Sequence, residues 1–396
     1  MAETDTSRVE QLKASDFPEL MNMLITSFRT KQPDHAEFDA LFPDVYQPTD
    51  ESMAKDCVLR QNGRIVSCVG LFPIKVLIGE TPTTIAGIGG VSTRPEFRNQ
   101  GLMQILLDHV QGQILDRGYP FAWLGGDRRR YMPWGHDLAV NEYHFTLSSR
   151  GPGFSDYLGK LPGAVHAGTV EEADWPTLWQ QAQRNRSLIA CGEEQLRLKY
   201  KRIGQEVLYL DHSDAAHVVF CVDGPNRELR AWGGEPELVG AIVADKLNRD
   251  GESLVARLPW YPDPYCPVFK ALMSNYTLAP CGNIAVYDLE KTLNLFKGHL
   301  DRRVREFGLK GTLRLAVGAC RQIPAQEVLL EADGNQLTIY RSSGGSAPKL
   351  DLTCWQVVEV LFTPLVVGWS VRLDPKLRWL TAMFPVPFYL PLIHHI

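Results

Sequence analysis

The chain has 396 residues, 44% hydrophobic and 22% charged, with a formal charge of −5. That length exceeds one ordinary hydrophobic core, so two or three domains are expected. The excess of acid excludes a protein that binds nucleic acid by neutralising phosphates. Eight cysteines lie scattered with no Cys-x-x-Cys pair, which points to neither a zinc site nor a disulfide framework. The start, MAETDTSRVEQ, is polar and lacks the apolar core of a signal peptide. No run is long enough to span a bilayer, and a reducing cytoplasm is the expected location.

Ser15 to Glu19 opens a first helix, with Asp16 as its expected N-cap and Glu19 three residues on. Leu20, Leu24 and Phe28 form its apolar stripe. Residues 33–54 then hold six acids (Asp34, Glu37, Asp39, Asp44, Asp50, Glu51) among Phe38, Phe42 and Tyr46, with no Lys or Arg. Strands are expected at Asp56–Arg60 and Ile65–Phe72 around the hairpin turn Asn62-Gly63, and at Ile74–Ile78 and Thr83–Ile88.

Ile88 to Ser92 extends as a strand, and Arg94-Pro95 ends it. Arg98-Asn99-Gln100-Gly101-Leu102-Met103 then opens a helix on which Leu102, Leu106 and Val110 recur at helical spacing. A strand running into a glycine loop at a helix N-terminus is a ready anion site. The free N–H groups and the positive end of the dipole favour a pyrophosphate, and Gly101 allows close approach. The spacing fits neither a P-loop nor a dinucleotide fingerprint. A strand follows at Phe121–Gly125.

Gly151-Pro152-Gly153 reads as a linker. Beyond it a helix is expected from about Thr169, with Glu171 and Glu172 in its first turn. Strands follow at Val207–Leu210, His217–Val222 and Glu228–Trp232, a helix after Pro236, and a strand at Ser253–Leu258. From Glu290 an amphipathic helix, Lys291–Phe307, precedes strands at Thr312–Val317, Glu327–Glu331 and Gln336–Tyr340. The segment Leu350–Phe362 and an apolar tail to Ile396 complete the chain.

The run Arg98–Met103, after its proline-broken strand, resembles the acetyl-CoA loop of the GNAT acetyltransferase superfamily, with Met103 where that pattern has a small residue. Residues 151–289 resemble a second, degenerate copy without the loop, and residues 290–396 resemble a sterol-carrier-protein-like domain. Together the three parts resemble the enhanced intracellular survival (Eis) family of bacterial acetyltransferases. The expected fold class is therefore α+β: tandem GNAT-like domains over 1–150 and 151–289, then a sterol-carrier-like α+β domain over 290–396.

The resemblance implies an acetyl-CoA-dependent N-acetyltransferase. Backbone at Gly90, Val91 and Ser92 would face the pantetheine and thioester, and Arg98, Asn99, Gln100, Gly101, Leu102 and Met103 the pyrophosphate. Tyr131 falls on the position of the family's general acid, which suits a phenol that stays protonated at neutral pH; Tyr143 is the fallback. The base implied is the C-terminal carboxylate, here of Ile396, with His394 and His395 as alternatives. The acid-rich segment would receive a cationic primary amine, with Asp34 and Glu37 as candidate contacts. Arg128-Arg129-Arg130 could reach the cofactor's 3′-phosphate, and His136 and His144 read as structural. No metal is needed, and no Cys stands near the motif, so the amine would attack directly. A small-molecule or peptide amine is the expected partner, and a homo-hexamer the implied assembly. The other reading is an acyl-CoA-sensing or lipid-binding protein that works through its C-terminal part.

Overall fold

A computed structural model describes residues 8–396 apart from 31, 211–214, 222–226, 343 and 365–369. It opens with a short strand, β1 (Glu10–Gln11), and a helix, α1 (Phe17–Arg29). Asp16 precedes α1 but does not cap it through its side chain. Its carboxylate and that of Glu19 instead hold Arg60, each at 2.7 Å. The acid-rich segment folds into two single turns, α2 (Phe38–Leu41) and α3 (Asp50–Met53).

Three antiparallel strands follow: β2 (Asp56–Gln61), β3 (Arg64–Ile78) and β4 (Thr81–Thr93). Asn62 and Gly63 both take positive φ, as a two-residue hairpin between right-twisted strands requires. The expected pair Ile65–Phe72 and Ile74–Ile78 is one continuous strand, because Pro73 does not break the β3 ladder. Helix α4 (Leu102–Asp116) crosses to β5 (Phe121–Leu124), which runs parallel to β4. A helical turn, α5 (Arg128–Tyr131), leads into β6 (Asp137–Leu147). Leu102, Leu106, Val110 and Ile114 of α4 pack on one face of the sheet, with Leu59, Val69 and Leu71. Leu20, Met23 and Leu24 of α1 pack on the other, with Val58, Cys68 and Phe72. The period-2 alternation of β3 supplies both faces.

Gly151 and Gly153 pack against the backbone of Leu272 and Ala271, followed by α6 (Phe154–Leu158) and β7 (His166–Gly168). The helix expected from Thr169 begins instead at Trp175, because the Glu172 carboxylate accepts the Thr169 N–H at 2.7 Å and closes a turn there. Helices α7 (Trp175–Ala182), α8 (Arg186–Ile189) and α9 (Glu193–Tyr200) precede β8 (Gln205–Tyr209), β9 (Ala216–Cys221) and β10 (Leu229–Gly234). Val222, the expected end of β9, lies outside the described residues. Strands β10, β9, β8 and β7 form a second, antiparallel sheet. Helix α10 (Pro236–Asp250) then leads to β11 (Leu254–Pro259), and α11 (Cys266–Leu272) to β12 (Met273–Val286).

Strand β12 inserts between β5 and β6, and β11 pairs with β6. The first sheet therefore runs β1-β2-β3-β4-β5-β12-β6-β11 and draws two strands from beyond residue 150. The expected helix Lys291–Phe307 is two helices, α12 (Leu289–Leu295) and α13 (Lys297–Phe307), separated at Phe296, whose side chain is buried. A third sheet contains β13 (Lys310–Val317), β14 (Gln326–Asp333), β15 (Leu337–Arg341) and β16 (Lys349–Leu352) in the order β15-β14-β13-β16. Helices α12 and α13 pack on its β14 and β15, while α14 (Cys354–Phe362), with Thr353 and Gln356 as a capping box, follows β16 and packs chiefly on β6 and β12 of the first sheet. The tail is buried: Phe388 meets Phe121 and Phe362, joining the third sheet to the first. Asp44 is fully buried against Lys199 at 2.7 Å and Arg202 at 2.9 Å, which fastens the acid-rich segment to α9. Among the described residues, no helix is long and apolar enough to cross a membrane.

Candidate active site

The centre of the first sheet opens at the end of β4. Gly70 of β3 opposes Gly89, but Cys68 opposes Ser92, so β4 carries an extra residue at Gly90–Val91. Such a bulge frees backbone groups from the ladder and turns the strand. Gly90 has φ +60, a conformation that favours glycine. The pairing of β4 with β5 runs from Ala86–Ala122 to Ile88–Leu124.

The loop after β4 makes a 3-10 turn at Pro95–Phe97. Asn99 at φ 64 and Gly101 at φ 75 are both left-handed, and Gly101 is the residue from which α4 starts. Such turns aim successive backbone N–H groups to one side. A Cβ at Gly101 would meet nothing within 4 Å, so this helix end faces open space. Arg98 is not free: its guanidinium donates to Ser27 O at 3.2 Å and Thr30 Oγ1 at 3.0 Å, tying the loop to α1.

A cleft of about 690 Å³ runs along this edge. Val91, Ser92, Arg98, Asn99, Gly101, Leu102 and Met103 line it, with Phe28, Arg130 and Trp134 on its other walls. Two residues expected with them are not among its walls. Gly90 sits inside the bulge, and Gln100 meets Gln61 at 3.5 Å over the β2–β3 turn. The open helix end, the bulge and a cleft of this size fit an elongated anionic cofactor.

Tyr131 ends α5 and is 5% exposed, its ring against Gly126. Burial raises the phenol above its ordinary value, against the pull of neighbouring Arg130. Of the three arginines, Arg128 pairs with Asp137 and Arg129 with Asp127, so only Arg130 reaches the cleft wall. Tyr143 stands elsewhere, 5.6 Å from Phe145 and 5.7 Å from Tyr276 between ring centres. His136 is buried and His144 pairs with Glu142 at 2.8 Å.

The chain end reaches β4. The Ile396 side chain lies over Gly87 and Gly89, one residue before the bulge, and its Cγ1 would stand 3.5 Å from a Cβ at Gly89. The two histidines beside it are spent structurally. His394 Nε2 meets Ser187 O at 2.8 Å, and His395 Nε2 meets Leu390 O at 3.1 Å. Burial lowers both imidazoles to about 3, so neither is a base at neutral pH. Asp34 is exposed, and exposed Glu37 pairs with Arg29 at 3.0 Å; their neighbours Gln32 and His35 line the cleft.

Residues 8–131 match the family model of the acetyltransferase (GNAT) domain. The chain carries a GNAT acetyltransferase domain, and the protein is an acetyltransferase with acetyl-CoA as donor. No curated protein matches it in sequence. Solved structures with the same fold extend over nearly the whole chain. A probable N-acyltransferase from Enterococcus faecalis aligns at TM-score 0.66 and 14% identity, over 96% of this chain and 98% of that one. Eis1 from Mycobacterium abscessus aligns at 0.64 and 14%, over 96% and 98%. A GCN5-related N-acetyltransferase from Kribbella flavida aligns at 0.63 and 14%, over 95% of each. The fold shared with these structures thus extends past residue 131 and includes all three sheets.

The sequence reading missed one group at the site. Asp56, at the start of β2, is fully buried beside Cys68, whose Sγ lies 3.5 Å from Oδ1, while Oδ2 has no partner. The available signal was an acid at the head of the apolar strand Asp56-Cys57-Val58-Leu59.

Proposed function

We propose that this acetyltransferase acts on the primary amine of a cationic small molecule or peptide, and that the amine attacks directly without a covalent enzyme intermediate. Acetyl-CoA, when bound, supplies the acyl carbon activated as a thioester. The observation that carries the reading is the meeting of the β4 bulge and the open, left-handed Gly101 turn along one cleft. In this reading, backbone N–H groups of the Asn99–Met103 turn hold the pyrophosphate, and the bulge at Gly90–Val91 orients the thioester carbonyl.

Tyr131 holds a phenolic proton in a buried place, where it can be given to a departing thiolate. The Ile396 carboxylate, the base that the Eis resemblance implies, ends a tail docked on β4 and is also a counter-charge for the ammonium of the acceptor. Asp34 and Glu37 flank the cleft beside Gln32 and His35 and attract the same cation from the rim. We place the homo-hexamer implied by the Eis resemblance, and the sterol-carrier-like character of the C-terminal part, in the same proposal.

The test is thiol release from acetyl-CoA with polyamines, aminoglycosides and lysine peptides, using the intact protein and one lacking His394–Ile396. Turnover with a cationic amine, lost on truncation while acetyl-CoA still binds, is expected. Binding of CoA with no amine acetylated by either form would move the reading to acyl-CoA sensing.

A further inference from the structure

Asp56 lies beside the β4 bulge, packed in with Tyr46 and Phe72. Across the sheet, Asp56 opposes Gly70, and Gly70 opposes Gly89. A Cβ at Gly70 would collide with the Phe72 ring and stand 2.8 Å from Asp56 Oδ1, so glycine there leaves room for both. A Cβ at Gly90 would stand 3.9 Å from the same oxygen and 2.7 Å from Tyr46 Oη. The ring of Phe72 packs over Gly70 and Gly89 on the same face, and the side chain of Ile396 over Gly89. The carboxyl therefore lies buried on the α1 face, with Oδ1 close to the bulge at Gly90.

An unpaired buried carboxyl oxygen costs stability, and Val or Asn would fill this strand position more cheaply. The fold has not relieved that cost: Oδ2 has no partner, and Oδ1 meets only the weak Sγ–H donor of Cys68 among the described residues.

We propose that Asp56 is the proton acceptor of the transfer reaction, taking a proton from the acceptor ammonium at the β4 bulge. The proposal rests on the acetyltransferase reading above, and it moves the role of base from the Ile396 carboxylate to Asp56, leaving Ile396 as counter-charge. In the step, R–NH3+ gives one proton to the carboxylate of Asp56. The freed lone pair forms the N–C bond as the C–S bond breaks, and the nitrogen's second proton replaces the one Tyr131 gives to sulfur. Asp56 then releases its proton to water.

Burial lifts the Asp56 carboxyl to about 7, against the hydrogen bond from Cys68 and the charge of Lys55. The other titratable groups around it are Tyr46 and Cys57, and burial raises both of them, so both stay neutral at that pH. A base that titrates near the working pH is the effective kind.

The experiment uses the full chain and its fastest amine. Wild-type kcat should rise about tenfold per pH unit up to about pH 7 and level above it. In Asp56→Asn, kcat at about pH 8 should fall at least about a hundredfold, with KM for acetyl-CoA unchanged and the acidic limb gone. Without any donor bound, difference infrared spectra of the wild type should show a protonated carboxyl band that disappears as pH rises through about 7, and Asp56→Asn should lack it. Wild-type turnover in Asp56→Asn, or no such band in the wild type, overturns the proposal. If the variant does not fold, a wild-type kcat that is flat from about pH 6 to about pH 8 overturns it alone. A wild type that acetylates no amine removes the acetyl-transfer reading, and this proposal with it, whatever the infrared titration shows.

Discussion

Helices α4 and α10 each have fifteen residues, each follows the last of a set of antiparallel strands, and each leads to a strand parallel to that one. They begin in opposite ways. Ahead of α4, Asn99 and Gly101 turn left-handed, and the helix end faces open space. Ahead of α10, Glu235 is extended and pairs with Arg184 at 2.6 Å, and a side chain at Gly234 would collide with the Ala215 carbonyl. A carboxylate stands at this helix end, paired with Arg184 and not capping the helix. One topology thus gives a cofactor cleft or a closed scaffold according to a few residues before a helix, and function resides in the site rather than the fold.

A similar contrast holds between one buried titratable group of each half. In the second sheet, buried His217 has Tyr200 Oη at 2.8 Å on one nitrogen and Gln181 at 3.0 Å on the other. In the first, Asp56 keeps an oxygen without a partner. The second sheet has unpartnered buried atoms too, Gln205 Oε1 and Trp232 Nε1, but these belong to groups that do not ionise near neutral pH.

The largest effect should come from the reacting half. Tyr131→Phe should lower kcat by about a thousandfold, the scale of a lost general acid, and leave the KM for acetyl-CoA near that of the wild type. Steady-state thiol release measures both. Unchanged turnover would take Tyr131 out of the chemistry and leave only the α4 turn to distinguish the two halves.

What could be read from the sequence divides along the same line. The β4–α4 unit was legible because its determinants are local: Pro95 ends the strand, Gly101 turns the chain, and Leu102, Leu106 and Val110 mark one helix face. The Asn62-Gly63 hairpin was legible for the same reason. Strand β12 was not, since Pro280, Gly282 and Asn283 interrupt its pattern and its partners on β5 and β6 are more than a hundred residues earlier. The break at Phe296 follows from burial in the third core, which helical spacing does not encode. Asp56 was missed because its meaning depends on two glycines, on β3 and β4, that come beside it only in the sheet.

Stability against pH sharpens the pairing of Asp56 with His217. Burial raises Asp56 from 3.8 to about 7. Between those values the folded protein holds a proton that the unfolded chain has lost, so this contribution falls as pH rises and then levels above about 7. Burial lowers His217 from 6.5 to about 3, so its contribution has the opposite slope: it is present above 6.5 and lost as pH falls toward 3. The wild-type curve mixes the two. The difference between Asp56→Asn and wild type isolates the first: it should grow from about pH 4 to about pH 7 toward a value on the order of 4 kcal/mol, in favour of the variant. Urea unfolding at a series of pH values reads it. A constant difference would mean that Asp56 is no less satisfied than His217.

Converting the first helix end toward the second should act on binding. Gly101→Glu puts a carboxylate where α10 has Glu235 and forces a side chain into the left-handed region, at roughly 1–2 kcal/mol. Expected is a rise of about tenfold or more in the KM for acetyl-CoA from lost dipole and amide contacts, with little change in kcat at saturation. Calorimetric titration with CoA checks it without an acceptor.

The smallest effect belongs to the rim. Asp34 and Glu37 are exposed, and Glu37 is already paired with Arg29, so each interacts with an incoming cation through water. Exposed charges of this kind contribute about 0–1 kcal/mol and are screened by salt. Replacing both by their amides should raise the KM for a polyamine by no more than about fivefold at low salt, and by almost nothing at about 0.5 M salt, with kcat unchanged. A loss that persists at high salt would instead put one of the two in direct contact with the amine. The acceptor site would then extend from the β4 bulge out to the loop after α1.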